Sequence, residues 1–462
     1  MEKESRLNDF LENPYKSMWT MALPIIAGMM VQTLFNVVDI MFIGWLGADE
    51  VTAVAFVSPL FFIIIGLGVG IGTGATATIA QFIGKKDKIN AEKTASQTLL
   101  IGFLSTIILT ILGVIYGEGL LSILGAEGQI LTIAYSYLRI LTSGLGLVIF
   151  SMFFRAIFAG EGETKIPMII GLIGTILNLI LDPILIFTFE YGVRGAAFAT
   201  IISQIVMVLA YLYIIFVKKL TYISFNIREL SLNNKIMSKI FQIGIPSSLS
   251  MLIMSFGQVV MNKILVNYST EAVAAYQIVS RLDMLLFMPI LGIAISLTTI
   301  VGMFYGAKEF DKILSVVSYG IVKAVIITTI SVLLFFVLAS KILPIFSSNL
   351  LVIDIGVTYL KIIIVAYPAV GISVICSRVC QALGQGIPLL ITTITRVILL
   401  TAPMSYYFYL IGKPIEWVWY SQVFAILIAA AISYFWMRFY FCLLYTSPSP
   451  RDRTRSRMPS SA

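Results

Sequence analysis

Apolar residues fall along this chain in long blocks separated by short polar connections, with none of the two-residue alternation that marks a half-buried strand. A run of about 20 apolar residues is long enough to cross a bilayer as a helix. Twelve such runs can be drawn, near 17–44, 52–83, 95–116, 130–158, 167–189, 195–217, 239–266, 272–304, 313–340, 351–380, 388–411 and 415–441. Lipid offers no hydrogen-bond partner to the backbone, so each run must satisfy its own amide groups as a helix. The pattern predicts an all-α polytopic membrane protein with 12 transmembrane helices.

The longest polar connection, "KKLTYISFNIRELSLNNKIMSK" (218–239), lies at the midpoint, and the halves on either side read as copies. "ALPIIAGMM" and "VTAVAF" line up with "GIPSSLSML" and "VAAYQI", pairing Pro24 with Pro246 and Ala53 with Ala275. "AQFIGKKD" matches "VGMFYGAKEFD", and "FRAIFAGEGETKIP" matches "SRVCQALGQGIP". An even number of spans per copy keeps both in the same orientation, so the prediction is two six-helix bundles related by a pseudo-two-fold axis along the membrane normal. The expected units are a lobe over 1–217, a cytoplasmic linker over 218–238 and a lobe over 239–441. A Ser/Pro/Arg-rich tail over 442–462 resembles translated adapter sequence and is set apart as non-native.

Composition agrees with the pattern: of 462 residues, 59% are hydrophobic and 12% charged, and mean hydropathy is +0.99. The tail carries four arginines and one aspartate, a net +3, so without it the formal charge falls from +8 to +5. That removes the basic argument for a nucleic-acid partner. Lysine and arginine collect on one side of the predicted spans: Lys3, Arg6, Lys16, Lys85, Lys86, Lys88, Lys93, Arg155, Lys165, Lys218, Lys219, Arg228, Lys235, Lys239, Lys308, Lys312, Arg378 and Arg438. The other side has Arg194, Lys341 and Lys413. The bias predicts that both termini are cytoplasmic. "MEKESRLNDFLENPYK" has no small-residue cleavage site, so the first span is expected to direct insertion itself.

Three cysteines and no histidine argue against a disulfide framework or a Cys/His metal site. Without histidine, any proton chemistry within the membrane falls to carboxylates. "GLGVGIGTGATATIA" in span 2 has glycines at helix-packing spacing, Gly66, Gly70 and Gly74. No strand or Walker lysine accompanies it, so it is no nucleotide motif, and nothing in the chain indicates drive by ATP.

A few polar residues interrupt the apolar runs. Gln32, Asn36 and Asp39 are spaced by four and three and form one stripe on span 1; Asn178 and Asp182, spaced by four, do the same on span 5. A charge at bilayer depth costs about 2.5–3.5 kcal/mol even on the lenient insertion scale. Both acids are therefore expected to face the bundle interior, and each other. The repeat places Met261 opposite Asp39 and Ala402 opposite Asp182, so the scaffold does not itself require these acids. They read as a proton or cation site, with a structural hydrogen-bond network as the competing reading. Pro24 and Pro183 each remove a helix hydrogen bond and are expected to bend their spans, a reading shared with Pro246 and Pro403. In the second half, Arg281 is expected to line a central cavity or pair with Asp283, and Arg396 to snorkel toward the near interface.

With these residues in view, the chain resembles the MATE (multidrug and toxic compound extrusion) family, and within it the bacterial DinF-like exporters. The likeness rests on "ALPIIAGMMVQTLFNVVDIMFIGWLGADEVTAVAF", "LNLILDPILIF", "GVRGAAFATIIS" and the two-fold repeat, over about residues 10–441. The resemblance implies a secondary antiporter, not an enzyme, in the cytoplasmic membrane of a prokaryote. It would export hydrophobic, often cationic small molecules against inward H⁺ or Na⁺, as a monomer with no cofactor besides the coupling ion. It implies a first-lobe ion-coupling site at Asp39, Asn178, Asp182 and Thr200, also a Na⁺ site if that is the ion. It further implies bending of span 1 at Pro24 and a supporting arginine near Arg281. The acidic pair that other branches carry in spans 7 and 10 is not evident; span 7 offers Gln258, Asn262 and Lys263. A flippase for lipid-linked saccharide precursors is the alternative, kept open by Arg281, Lys263, Arg396 and Lys361. An intramembrane aspartyl enzyme lacks its flanking motifs.

Overall fold

The computed structural model describes residues 5–225 and 233–446, with no strand among them. Lys3, Arg228 and the tail from 447 onward, on which expectations were placed above, lie outside the described residues.

A short helix α1 (Leu7–Glu12) precedes the spans α2 (Pro14–Gly44), α3 (Ala48–Gly84) and α4 (Lys88–Ile123). The fourth span is two helices, α5 (Gly128–Ser143) and α6 (Leu145–Gly160), bent by 51° about Gly144. Then come α7 (Lys165–Pro183), continued by a π turn over 184–188, and α8 (Val193–Leu212), continued by another over 213–217. The second half has α9 (Asn234–Val266), α10 (Thr270–Ala307) and α11 (Phe310–Phe346). Its fourth span joins α12 (Leu350–Ile363) to α13 (Tyr367–Ala382) through a 3₁₀ turn, and its fifth joins α14 (Ile387–Ile394) to α15 (Ala402–Leu410) through a π turn; α16 (Glu416–Thr446) is last. Counting the bent pair as one, twelve spans among the described residues are long and apolar enough to cross a membrane. The chain folds as two six-helix bundles.

Short polar residues at the connections start the helices. Asp87, Asn233, Ser269 and Asn349 accept the orphan N–H groups of the following first turns. The repeat survives in fine detail: Lys86 and Lys308 both take a left-handed conformation, φ 58° and 63°, in the matching turns after α3 and α10. The matching fourth spans both break at mid-length, at Gly144 in one half and over 364–366 in the other.

The bundles meet at the lysine-rich end. A Cβ on Gly74 of α3 would lie 2.2 Å from the Ile240 carbonyl oxygen, and one on Gly70 would lie 2.6 Å from the Ser248 nitrogen, so these glycines let α3 and α9 touch backbone to backbone. Side chains bond across the seam: Gln81 Nε2 donates to the Ala382 carbonyl (2.7 Å), Thr299 Oγ1 to the Ala159 carbonyl (2.8 Å) and Arg378 Nη1 to Thr73 Oγ1 (3.1 Å). One apolar core there draws on both bundles, including Ile71, Ile79, Ile293 and Ile300. Toward the other end the core divides. Ile43, Ala53, Val57 and Leu138 pack within the first bundle, and Met261, Val279, Tyr359 and Trp419 within the second. Gly292 of α10 abuts Ile26 and Ala22 of α2. Arg281 and Leu285, on that same face of α10, are exposed. The bundles have parted by that level, leaving a cleft that opens away from the lysine-rich end.

Candidate functional site

Helical periodicity brings the polar residues of α7 to one face. Asn178 and Asp182, one turn apart, are both buried, Asp182 at 0% exposure, and Asn178 Nδ2 donates to Asp182 Oδ1 at 2.8 Å. Asp39 comes from α2, which packs along α7, and its carboxyl group lies within hydrogen-bonding reach of that of Asp182. Asp182 Oδ2 is buried and accepts from no donor among the described residues. Just after this face Pro183, which has no N–H to give, ends α7, and the chain widens into the π turn. Gly195 of α8 fits against that turn, where a Cβ would meet the Leu185 carbonyl oxygen at 2.5 Å.

The remaining expected members are placed less closely. Thr200, on α8, is half-buried and its hydroxyl donates to the Ala196 carbonyl of its own helix at 3.0 Å. Gln32 and Asn36 share the stripe of Asp39 on α2 but are exposed. α2 continues as a single helix through Pro24. One residue of the cluster escaped the sequence reading: buried Tyr137, on α5, interacts electrostatically with both Asp39 and Asp182. A tyrosine in an apolar span carries no polar-stripe signal. Its partner in the repeat, Tyr359, was the available clue.

Two carboxylates this close repel each other unless a proton or a small cation lies between them. Oxygen donors from two acids, with an amide beside them, suit H⁺ or a hard monovalent ion. No group of three or more His, Cys, Asp or Glu side chains able to hold a metal occurs among the described residues.

In the second bundle the matching positions are apolar. Met261 is buried in that bundle's core. Asp283 does not pair with Arg281; it accepts a hydrogen bond from Tyr367 of α13, and Arg281 forms no ion pair among the described residues. Arg281 is exposed on the face of α10 that, at Gly292, abuts α2. Arg396 does not snorkel outward. It sits in the π turn after α14, within electrostatic reach of Tyr276 of α10 inside the bundle.

The MatE family model matches this chain twice, over residues 24–184 and 246–407, one copy per bundle. The chain belongs to the MATE family. It is 28% identical to the multidrug export protein MepA of Staphylococcus aureus (strain N315) over 386 residues, 83% of this chain and 85% of MepA. It superposes on the outward-facing conformation of a multidrug resistance MATE family transporter with a TM-score of 0.91 at 30% identity, covering 96% of this chain and 100% of that one. A MATE in the straight conformation gives a TM-score of 0.92 at 29% identity, covering 97% of this chain and 100% of that one. As a MATE transporter, the protein is a multi-pass membrane protein.

Proposed function

We propose that this MATE protein is an antiporter that exports hydrophobic, often cationic small molecules in exchange for inward H⁺ or Na⁺, bound at Asp39, Asn178 and Asp182 with Tyr137 and Thr200 beside them. The reading is supported most by one observation: two membrane-embedded carboxyl groups from different helices face each other, one oxygen of the buried partner lacking a donor. The lysine-rich end is cytoplasmic in this reading, which makes the open cleft outward-facing. An ion entering from that side relieves the repulsion between α2 and α7 and favours a conformation of α2 that narrows the cleft and expels the substrate. Release of the ion to the cytoplasm restores the repulsion. The ion drives the cycle only through its different affinity for the two states.

Asp39→Asn tests this directly. In vesicles under imposed Na⁺ or pH gradients, the variant is expected to insert normally and lose gradient-driven dye efflux. Efflux at the wild-type rate would falsify the assignment. Binding of lipid-linked pyrophosphates in place of dyes would instead favour a flippase.

A further inference from the structure

The first bundle carries a second polar feature, on its outer surface and outside the cleft. Tyr135, Ser136, Arg139 and Ser143 repeat at helical spacing along one face of α5 and line an open groove of about 830 Å³. Glu118 of α4, Tyr191, and Arg194 and Phe198 of α8 also line it. α5 packs against both α4 and α8, and this face lies between them. Arg139 is exposed on α5 and lines the groove together with Arg194, in the first turn of α8. A guanidinium on the membrane-facing side of a span is costly without an anion. Arg139 and Arg194 form no ion pair among the described residues, and Glu118 is the one acid of the groove, which leaves it net positive. The hydroxyls of Ser136 and Ser143 donate to their own helix, at 2.8 and 2.6 Å, so they are not what answers the charge.

We propose that this groove binds the phosphodiester headgroup of an anionic phospholipid, with Arg139 and Arg194 on the phosphate and the aromatic rings beside the glycerol and upper acyl chains. Arginine suits this role because its planar fork matches phosphate oxygens. The lipid reaches the groove from the bilayer without leaving it. Tyr137, two residues from Arg139, projects from the opposite side of α5 toward Asp39 and Asp182, so a lipid here bears on the helix that supplies Tyr137 to the candidate ion site.

The test uses the full chain purified in detergent and titrated with phosphatidylglycerol, phosphatidylcholine or inorganic phosphate, reading bound lipid by native mass spectrometry and the melting temperature. Phosphatidylglycerol is expected to remain bound and raise the melting temperature, with the other two far weaker. Arg139→Gln with Arg194→Gln should weaken its binding roughly 30-fold. Glu118→Gln should strengthen it, a gain that misfolding cannot mimic. Wild-type binding by the double variant overturns the proposal, as does unchanged or weaker binding by Glu118→Gln. Phosphatidylcholine held as tightly as phosphatidylglycerol would reduce the groove to general lipid contact, and inorganic phosphate of equal affinity would make it a soluble-anion site; either result also overturns it.

Discussion

Asp182 has two oxygens in unlike surroundings: Oδ1 receives the Asn178 amide, and Oδ2 is buried without a donor. That asymmetry separates what Asn178 does for the fold from what it does for the site. Asn178→Leu strips Oδ1 of its donor while keeping side-chain volume similar, leaving a buried acceptor unpaired at a cost of about 1–3 kcal/mol. The expected result is a lower melting temperature together with altered ion dependence of efflux. A variant equal to wild type in both would mean that the amide neither braces nor tunes the carboxyl. At this scale the sequence was legible where polarity stood out against an apolar background. Asp39, Asn178 and Asp182 announced themselves by spacing, and the expectation that the acids face each other agrees with their placement. Tyr137 did not, because an aromatic residue in a membrane span is ordinary until packing sets it beside two acids. The pairing of Asp283 with Tyr367 was equally hidden, since it depends on how α10 and α13 pack, whereas the neighbouring Arg281 was the visible candidate.

Among the elements, the apolar runs gave the twelve spans, because desolvation of the backbone leaves few alternatives in lipid, though the helices extend past the runs by up to seven residues, as α4 does at both ends. The break at Gly144 was missed, since no proline marks it; a Cβ there would lie 2.5 Å from Ile201 of α8, so the close approach of α8 needs the glycine. The prolines that were visible behave differently from one another: α2 runs on through Pro24, while α7 ends at Pro183 in a π turn. The glycines of α3 read as a packing face, and Gly70 and Gly74 do meet α9. Gly74→Ala pushes a methyl against the Ile240 carbonyl and should cost about 1–3 kcal/mol, lowering the melting temperature and slowing efflux. Gly171→Ala, on a span with nothing within 4 Å of the new methyl, is its control and should stay within about 0.5 kcal/mol of wild type. Equal effects from the two would show that glycine content matters here through helix propensity, with the α3–α9 contact unimportant.

At the scale of the whole molecule, the cleft can alternate its access only if the seam at the lysine-rich end opens. That seam combines glycine contacts with a few hydrogen bonds that run from a side chain in one bundle to a backbone carbonyl or hydroxyl in the other. The two-fold repeat foretold bundles of equal size, but which end is closed depends on contacts between distant helices that no local pattern encodes. Gln81→Ala and Thr299→Val each remove one donor from a buried carbonyl, at about 1 kcal/mol apiece. If the alternative state lacks these bonds, the double variant shifts the equilibrium toward it by roughly 30-fold. Spin labels at positions 85 and 312, next to the seam, report the shift as a longer distance population. Cys442 is exposed and must first be replaced, while Cys376 and Cys380 are buried. A distance distribution identical to that of the wild type would show that the glycine contacts alone hold the seam, and that these hydrogen bonds persist in both states.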